Sequence, residues 1–334
     1  MKKMIDAVDT LIDQALRGME VAFPEYVRRV EGTSVLARRV VKDEGKVGLV
    51  SGGGSGHEPA HGGFVGFGML DAAVAGEIFT SPTPDQVYEG IKAADRGAGV
   101  LLVVKNYTGD VMNFDIAREM ADADGIATEV VLVNDDVAVQ NSLYTTGRRG
   151  IAGTVFVHKI AGAAAEEGAS LSRVKEVGEA VVANVASMGF ALTSCTVPAN
   201  GKPTFELGED EMEMGIGIHG EPGIERVPVK SAKEVISDLF GKVMDDLGLV
   251  KGERLAAMVN SMGATPAIEL AVMTADLAGL IEEAGLVLEK VMMGEFMTSL
   301  EMAGASLTLL RLDNDRATWL AAPCETPALR IVAH

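Results

Sequence analysis

The chain's 334 residues are 48% apolar and 23% charged, a globular composition with length enough for two ordinary domains. Acidic residues outnumber basic ones 48 to 29, and a formal charge of −19 repels nucleic-acid backbones and anionic membranes. Aromatics at 4% and only two cysteines leave too little material for a base-stacking surface, a disulfide framework or a cysteine-rich zinc site.

Met4, Val8, Leu11, Ile12, Ala15 and Leu16 fall at helical spacing and predict an amphipathic helix over 4–19. Asp6, Asp9 and Asp13 follow Lys2-Lys3 at once, which spoils a secretory signal, and no apolar run reaches the ~18 residues of a membrane span. A soluble, cytoplasmic protein is expected. A strand at 46–51 runs straight into glycines, and short apolar runs recur at 71–76, 99–105 and 127–133. Helical stretches lie at 84–95 and 110–122, followed by 154–167 and 172–188. Strands without polar alternation, alternating with helices, predict an α/β, doubly wound, mostly parallel sheet with helices on both faces over residues 1–186. From 187 to 334 the rhythm changes, with strands at 189–197, 254–260, 286–293, 305–312 and 316–321 and helices near 231–247 and 264–283. A smaller α+β domain with a mixed sheet is expected there. Its last two strands, joined by Asp313-Asn314-Asp315, read as a hairpin.

The densest local signal is Ser51-Gly52-Gly53-Gly54-Ser55-Gly56-His57-Glu58-Pro59, directly after a strand. Such glycines let backbone come close to a small ligand, at the strand end where open α/β sheets bind theirs. The alternative is a plain surface turn. His57-Glu58-Pro59-Ala60-His61 also satisfies H-E-x-x-H, a zinc pattern that needs both histidines on one face of a helix. Pro59 inside it and glycines on both sides argue against that helix. Gly215-Ile216-Gly217-Ile218-His219-Gly220 fits G-x-G-x-x-G, but Glu221-Pro222-Gly223 stands where a dinucleotide fingerprint needs a helix. That match is coincidental. His219 itself stands between glycines that leave its ring unobstructed, and a neutral imidazole nitrogen is a competent nucleophile toward a carbonyl carbon. Lys105-Asn106-Tyr107-Thr108-Gly109-Asp110 brings an ammonium, an amide, two hydroxyls and a carboxylate to another strand end, though Asp110 could simply cap the next helix. No G-x-x-x-x-G-K-[ST] motif is present, so phosphate chemistry here implies a nucleotide held elsewhere.

Taken together, SGGGSGHEPAHGG at 51–63, GEIFTSPTPDQ at 76–86, VKNYTGDVMNF at 104–114, NDDVAVQNSLYTTGRRGIAGT at 134–154, TVPANGKPTF at 196–205, EMEMGIGIHGEPGIER at 211–226 and GATPAIEL at 263–270 resemble the dihydroxyacetone kinases, specifically their substrate-binding K subunit. The resemblance spans nearly the whole chain in order. It implies that His219 forms a hemiaminal with the ketone of dihydroxyacetone and that His57 and Asp110 are the acid/base residues near its hydroxyl. It further implies that Lys105 contacts the substrate and that Gly54, Ser55 and Gly56 surround it. No metal is implied in this chain. Because the chain stops at His334, the resemblance implies the split form of the kinase, whose L subunit holds ADP or ATP with magnesium and is recharged by a phosphotransferase-system phosphoprotein. A homodimer is implied as well. Two other readings stand beside this one: a ketose-binding regulatory paralogue without kinase activity, and a zinc hydrolase on His57 and His61.

Overall fold

The computed structural model describes residues 2–41, 45–140, 145–221 and 223–332; Pro222 and residues 141–144, which belong to two of the stretches quoted above, lie outside them. Helix α1 (Leu11–Ala22) opens the chain, seven residues later than the periodicity predicts, and buries Leu16. The first sheet consists of β1 (Val27–Arg29), β2 (Val35–Arg38), β3 (Gly48–Ser55), β4 (Ala72–Ile78), β5 (Val100–Lys105) and β6 (Thr128–Val133), in the spatial order β1-β2-β4-β3-β5-β6. Strands β4, β3, β5 and β6 are parallel, while β2 joins β4 and β1 joins β2 in antiparallel pairs.

Both faces of this sheet are covered, which is why its strands lack polar alternation. Helices α2 (Pro84–Ala94) and α3 (Thr108–Ala123) set Val87, Ile91, Phe114 and Ala117 against Val50, Val74, Leu102 and Val104 on one face. On the other face, α4 (Thr154–Glu166) and α5 (Leu171–Val182) pack against Leu49, Leu101, Val103 and Val131. Residues 154–165 of α4 are all buried, Thr154, His158 and Lys159 among them. The same core takes in Ala256, Met258 and Leu310, so α4 is the layer between two sheets. Gly162 permits the approach, since a Cβ there would stand 2.6 Å from Met69 Cα.

The second sheet is mixed. It comprises β7 (Val185–Ala191), β8 (Glu211–Met214), β9 (Glu225–Pro228), β10 (Arg254–Ser261), β11 (Val287–Gly294) and β12 (Gly304–Leu312), ordered β11-β10-β12-β7-β8-β9. Only the β10–β11 pair among these is parallel. Helices α6 (Ala232–Leu247) and α7 (Ala267–Glu283) cover its outer face with Leu239, Val243, Leu270 and Leu277. No helix among the described residues is long and apolar enough to cross a membrane.

Three expectations are corrected. Residues 316–321 are not the second arm of a hairpin: Asp313 accepts the Arg316 amide at 2.8 Å as an N-cap and starts helix α8 (Asn314–Ala321), which turns back onto α4. The helix expected over 172–188 ends at Val182, and strand β7 begins at Val185. Gly52, Gly53 and Gly54 lie inside β3 and not in a loop after it.

Candidate active site

The parallel strands β3, β4 and β5 end beside a turn that comes after β8, and a cleft of about 970 Å³ opens between them. Gly54, Phe79, Tyr107 and Asp110 line it from the first sheet; Asn200, Lys202, Thr204, His219 and Glu221 line it from the second half of the chain. This is the usual place for a ligand of an open α/β sheet.

The glycines of β3 are there because neighbours occupy the space of a side chain. A Cβ on Gly52 would lie 2.5 Å from Val74 O, one on Gly53 2.4 Å from Lys105 Nζ, and one on Gly54 2.5 Å from Thr80 N. At Gly54 the cleft is therefore lined by backbone. Ser55 and Gly56 do not line the cleft: Ser55 Oγ donates to Gly76 O at 2.7 Å, and Gly56, at φ 104°, donates its amide to the Glu58 carboxylate.

His219 is held on every side yet reachable, with 17% of its side chain exposed. Its amide donates to Glu221 Oε2 at 2.9 Å, and its Nδ1 lies 3.3 Å from Glu221 Oε1. A carboxylate only accepts, so Nδ1 carries the proton and the lone pair is left on Nε2. Burial alone would raise Glu221, but the hydrogen bond and charge of His219, together with Arg149, bring it down to about 2. It is an anion at any working pH. The rings of Tyr107, His57 and Phe79 meet the His219 ring edge-on at centroid distances of 4.5, 4.7 and 5.3 Å. Phe79 reaches this position through a left-handed backbone, φ 55°.

His57 is fully buried. Its Nδ1 faces Thr298 O at 2.8 Å and so carries the proton, which leaves an acceptor Nε2 that nothing among the described residues satisfies. The segment holding it is clamped by the second half of the chain, with Thr298 N donating to His57 O and Leu300 N to Gly56 O. Burial lowers His57 well below the ordinary histidine range, and its proximity to His219 and to the Lys105 ammonium lowers it further.

Asp110 does not cap α3; Tyr107 occupies the cap position, and Asp110 sits buried in the first turn with Oδ2 3.7 Å from Lys105 Nζ. Lys105 is wholly enclosed behind Gly53, lowered by burial and supported by Asp110. The structure thus brings Gly54, Asp110, His57 and His219 to the cleft or its immediate wall, places Lys105 behind Asp110, and leaves Ser55 and Gly56 off the cleft. His57 and His61 share nothing. They lie on turns, and His61 Nε2 is 2.9 Å from the Lys105 ammonium, where a metal cation would have no room. Among the described residues no group of three His, Cys, Asp or Glu side chains is arranged for a metal.

The Dak1 domain profile matches residues 17–328. The chain belongs to the Dak1 family. It is 55% identical over 329 residues to the PTS-dependent dihydroxyacetone kinase 1, dihydroxyacetone-binding subunit DhaK, of Listeria innocua, covering 98% of this chain and 100% of that protein. The PEP-dependent dihydroxyacetone kinase, dihydroxyacetone-binding subunit DhaK, of Escherichia coli is 43% identical, with 98% and 99% covered. The native-form dihydroxyacetone kinase of C. freundii superposes with a TM-score of 0.91 at 34% identity over 99% of this chain, which spans 60% of that longer one. A dihydroxyacetone kinase operon co-activator, DhaQ, superposes at 0.90 with 32% identity over 95% of this chain and 98% of its own. The two-sheet α/β architecture is that of these neighbours.

Within this Dak1 chain, Glu221, Phe79, Tyr107 and Thr298 serve the histidines but were not predicted. Glu221 had a signal, a carboxylate two residues from a glycine-bracketed histidine. Phe79 and Thr298 had none, because ring stacking and a carbonyl contact 241 residues away leave no local pattern.

Buried histidines give the fold a pH limit. His57, His61 and His158 are each lowered by burial, with positive neighbours adding to the effect, and His158 falls to about 3. As pH falls through about 6.5 the unfolded chain protonates all three while the folded chain does not, so the stability they contribute is present above that pH and lost below it. Asp136, raised to about 6 by burial in spite of Arg149, binds a proton in the folded state over the same range and offsets one of them. A net of about two protons is worth roughly 2–3 kcal/mol per pH unit below pH 6. Thermal melts are expected to drop by roughly 3–4 °C per unit between pH 6.5 and 5.5, and a flat profile there would contradict it.

Proposed function

We propose that this chain is the dihydroxyacetone-binding subunit of a phosphotransferase-dependent dihydroxyacetone kinase, and that it holds the ketose covalently on His219. The observation that carries the proposal is the His219–Glu221 pair at the cleft, with the imidazole boxed by three rings. Nε2 attacks the ketone carbon; the C=O π bond breaks, and the oxygen takes a proton to become hydroxyl. Nδ1 releases its proton, so a neutral hemiaminal results with no loss of water. Ionised Glu221 stabilises the imidazolium character that develops between these two proton movements. Glycerol has similar size and hydroxyls, and a polar pocket separates such isosteres poorly. Only a ketone can add the imidazole, so capture makes the distinction chemical.

On this reading residues 1–186 handle the proton of the attacking hydroxyl through Asp110 and His57, while residues 187–334 carry the anchor. A triose fills only a corner of a 970 Å³ cleft, which leaves room for a donor brought by a partner subunit. A C. freundii kinase solved with AMP-PNP and Mg2+ is matched over 61% of its length, consistent with nucleotide binding outside the shared part. The phosphoryl group would then come from a nucleotide with magnesium on the L subunit, recharged by a phosphotransferase-system phosphoprotein. A cytoplasmic homodimer completes the proposal.

The likeness to the DhaQ co-activator supports a regulatory reading, but a sensor has no use for a general base, and Asp110 at the cleft with His57 beside His219 favours the kinase reading. The test uses dihydroxyacetone labelled with carbon-13 at its carbonyl and protein labelled with nitrogen-15 at histidine. The expected result is a ketone signal that moves to the tetrahedral region and couples to one imidazole nitrogen, with a native mass increased by the full ketose. A persistent ketone signal, or glycerol bound equally well, would overturn it. Transfer by the chain reconstituted with a nucleotide-loaded partner separates kinase from sensor.

A further inference from the structure

His61, the second histidine of the H-E-x-x-H match, takes no part in ketose capture, yet it is buried and fully engaged. Its Nε2 lies 2.9 Å from Lys105 Nζ, and its Nδ1 lies 3.0 Å from His158 Nε2 on α4. Lys105 Nζ also meets Gly52 O at 3.3 Å and Asp110 Oδ2 at 3.7 Å, so three acceptors surround three ammonium protons.

The ammonium fixes every proton behind it. It can only donate, so His61 Nε2 accepts and Nδ1 carries the hydrogen. That hydrogen points to His158 Nε2, which must accept in turn. Ser51 Oγ, 3.4 Å from His61 Nδ1, spends its own hydrogen on Val103 O at 2.7 Å and can only accept from the ring. Burial and the Lys105 charge keep both rings neutral, as an acceptor of an ammonium must be. From the other side, β3 leaves no slack, since only the absence of a side chain on Gly53 admits Nζ.

We propose that the neutral His61–His158 pair is a support that positions the Lys105 ammonium against Asp110, making His61 and His158 positioning residues for the transfer step. The step itself rests on the function proposed above. His61 touches neither His219 nor Glu221, so the support acts on transfer and not on capture. Gln at 61 keeps an acceptor for Lys105 and a donor beside it; Leu keeps the volume and loses both.

The test is carried out with the full chain and its nucleotide-loaded partner, scoring ketose adduct and transfer rate separately. His61→Leu is expected to form the adduct within about threefold of wild type and to lose transfer by about 10–100-fold in kcat with little change in KM, while His61→Gln recovers most of the rate. In a Lys105→Met background the His61→Leu change is expected to cost nothing more, because the group it supports is gone. Should His61→Leu not fold, His61→Gln and the wild-type tautomer readout still decide the proposal. Unaltered transfer in His61→Leu, parallel loss of adduct, or an undiminished effect in the Lys105→Met background would overturn the proposal. A readout free of activity runs beside it: imidazole nitrogen-15 shifts are expected to show His61 as the Nδ1–H tautomer down to pH 5 and as a mixture in Lys105→Met. Protonation of His61 near pH 6.5, or an Nε2–H tautomer in wild type, would overturn it too. If the wild-type pair transfers nothing, the kinase reading fails and the tautomer alone decides the proposal.

Discussion

The His219→Ala chain is expected to show no carbonyl-labelled ketose converted to a tetrahedral carbon, at any ketose concentration that saturates wild type. The loss is all-or-none because the covalent bond is made by one atom, His219 Nε2, while His57 Nε2, the other unprotonated imidazole nitrogen at the cleft wall, belongs to a fully buried side chain. The fold should survive. His219 lies on a turn outside every strand, its ring faces the cleft, and water can fill the space it leaves, so the stability cost is about 1 kcal/mol. Glu221→Gln grades the same effect. The amide oxygen can still accept from Nδ1, but the charge that favours the forming imidazolium is gone. Hydrogen bonds to charged groups exceed neutral ones by about 1.4 kcal/mol, which predicts roughly tenfold weaker capture. Native mass and the labelled-carbon spectrum check both variants, and circular dichroism checks the fold. An adduct retained in His219→Ala would remove His219 from the chemistry.

Legibility in the sequence depends on the range of the interactions involved. The strands of the parallel core were legible because burial on both faces leaves uninterrupted apolar runs such as VLLVVK at 100–105. Residues 316–321 misled because Thr318, Trp319 and Leu320 suit a strand, whereas the helix is decided by the Asp313 cap just before them. Strands β1 and β2 carry no long apolar run, since Arg28 and Arg29 fall in the first and Arg38 ends the second; Arg38 is buried, and Asp71 and Glu166 pair it from distant segments. The same division runs through the site. His57, Asp110 and His219 stand in dense local motifs, while the partners that orient them come from 79, 107 and 298. His61 looked like half of a metal motif because sequence shows spacing, and it cannot show that Lys105, 44 residues away, occupies the place of the cation.

Asp110→Asn is expected to leave ketose capture nearly intact and to cut phosphoryl transfer by about 10²–10⁴-fold, the usual worth of a general base. Capture survives because His219 and Glu221 come from the other half of the chain, and Asn keeps the shape of the carboxylate. Transfer fails because Asn has no basicity for the proton of the attacking hydroxyl. The substitution has a second effect, since the Lys105 ammonium loses the carboxylate charge that compensates it at 3.7 Å. That change works against the buried cation and lowers Lys105 further, away from its donor role toward Gly52 and His61. The rate loss therefore belongs to the pair, and Lys105→Met combined with Asp110→Asn separates the two contributions: the part due to the lysine vanishes in the double variant, and the part due to lost basicity remains. His57 supplies the alternative base through its unsatisfied Nε2. If His57 takes the proton and Asp110 only orients the hydroxyl, Asp110→Asn falls at the low end of the range and His57→Asn is worse. Single-turnover transfer from the nucleotide-loaded partner, with adduct measured separately, distinguishes these outcomes. Near-normal transfer by Asp110→Asn would reduce Asp110 to a counter-charge for Lys105.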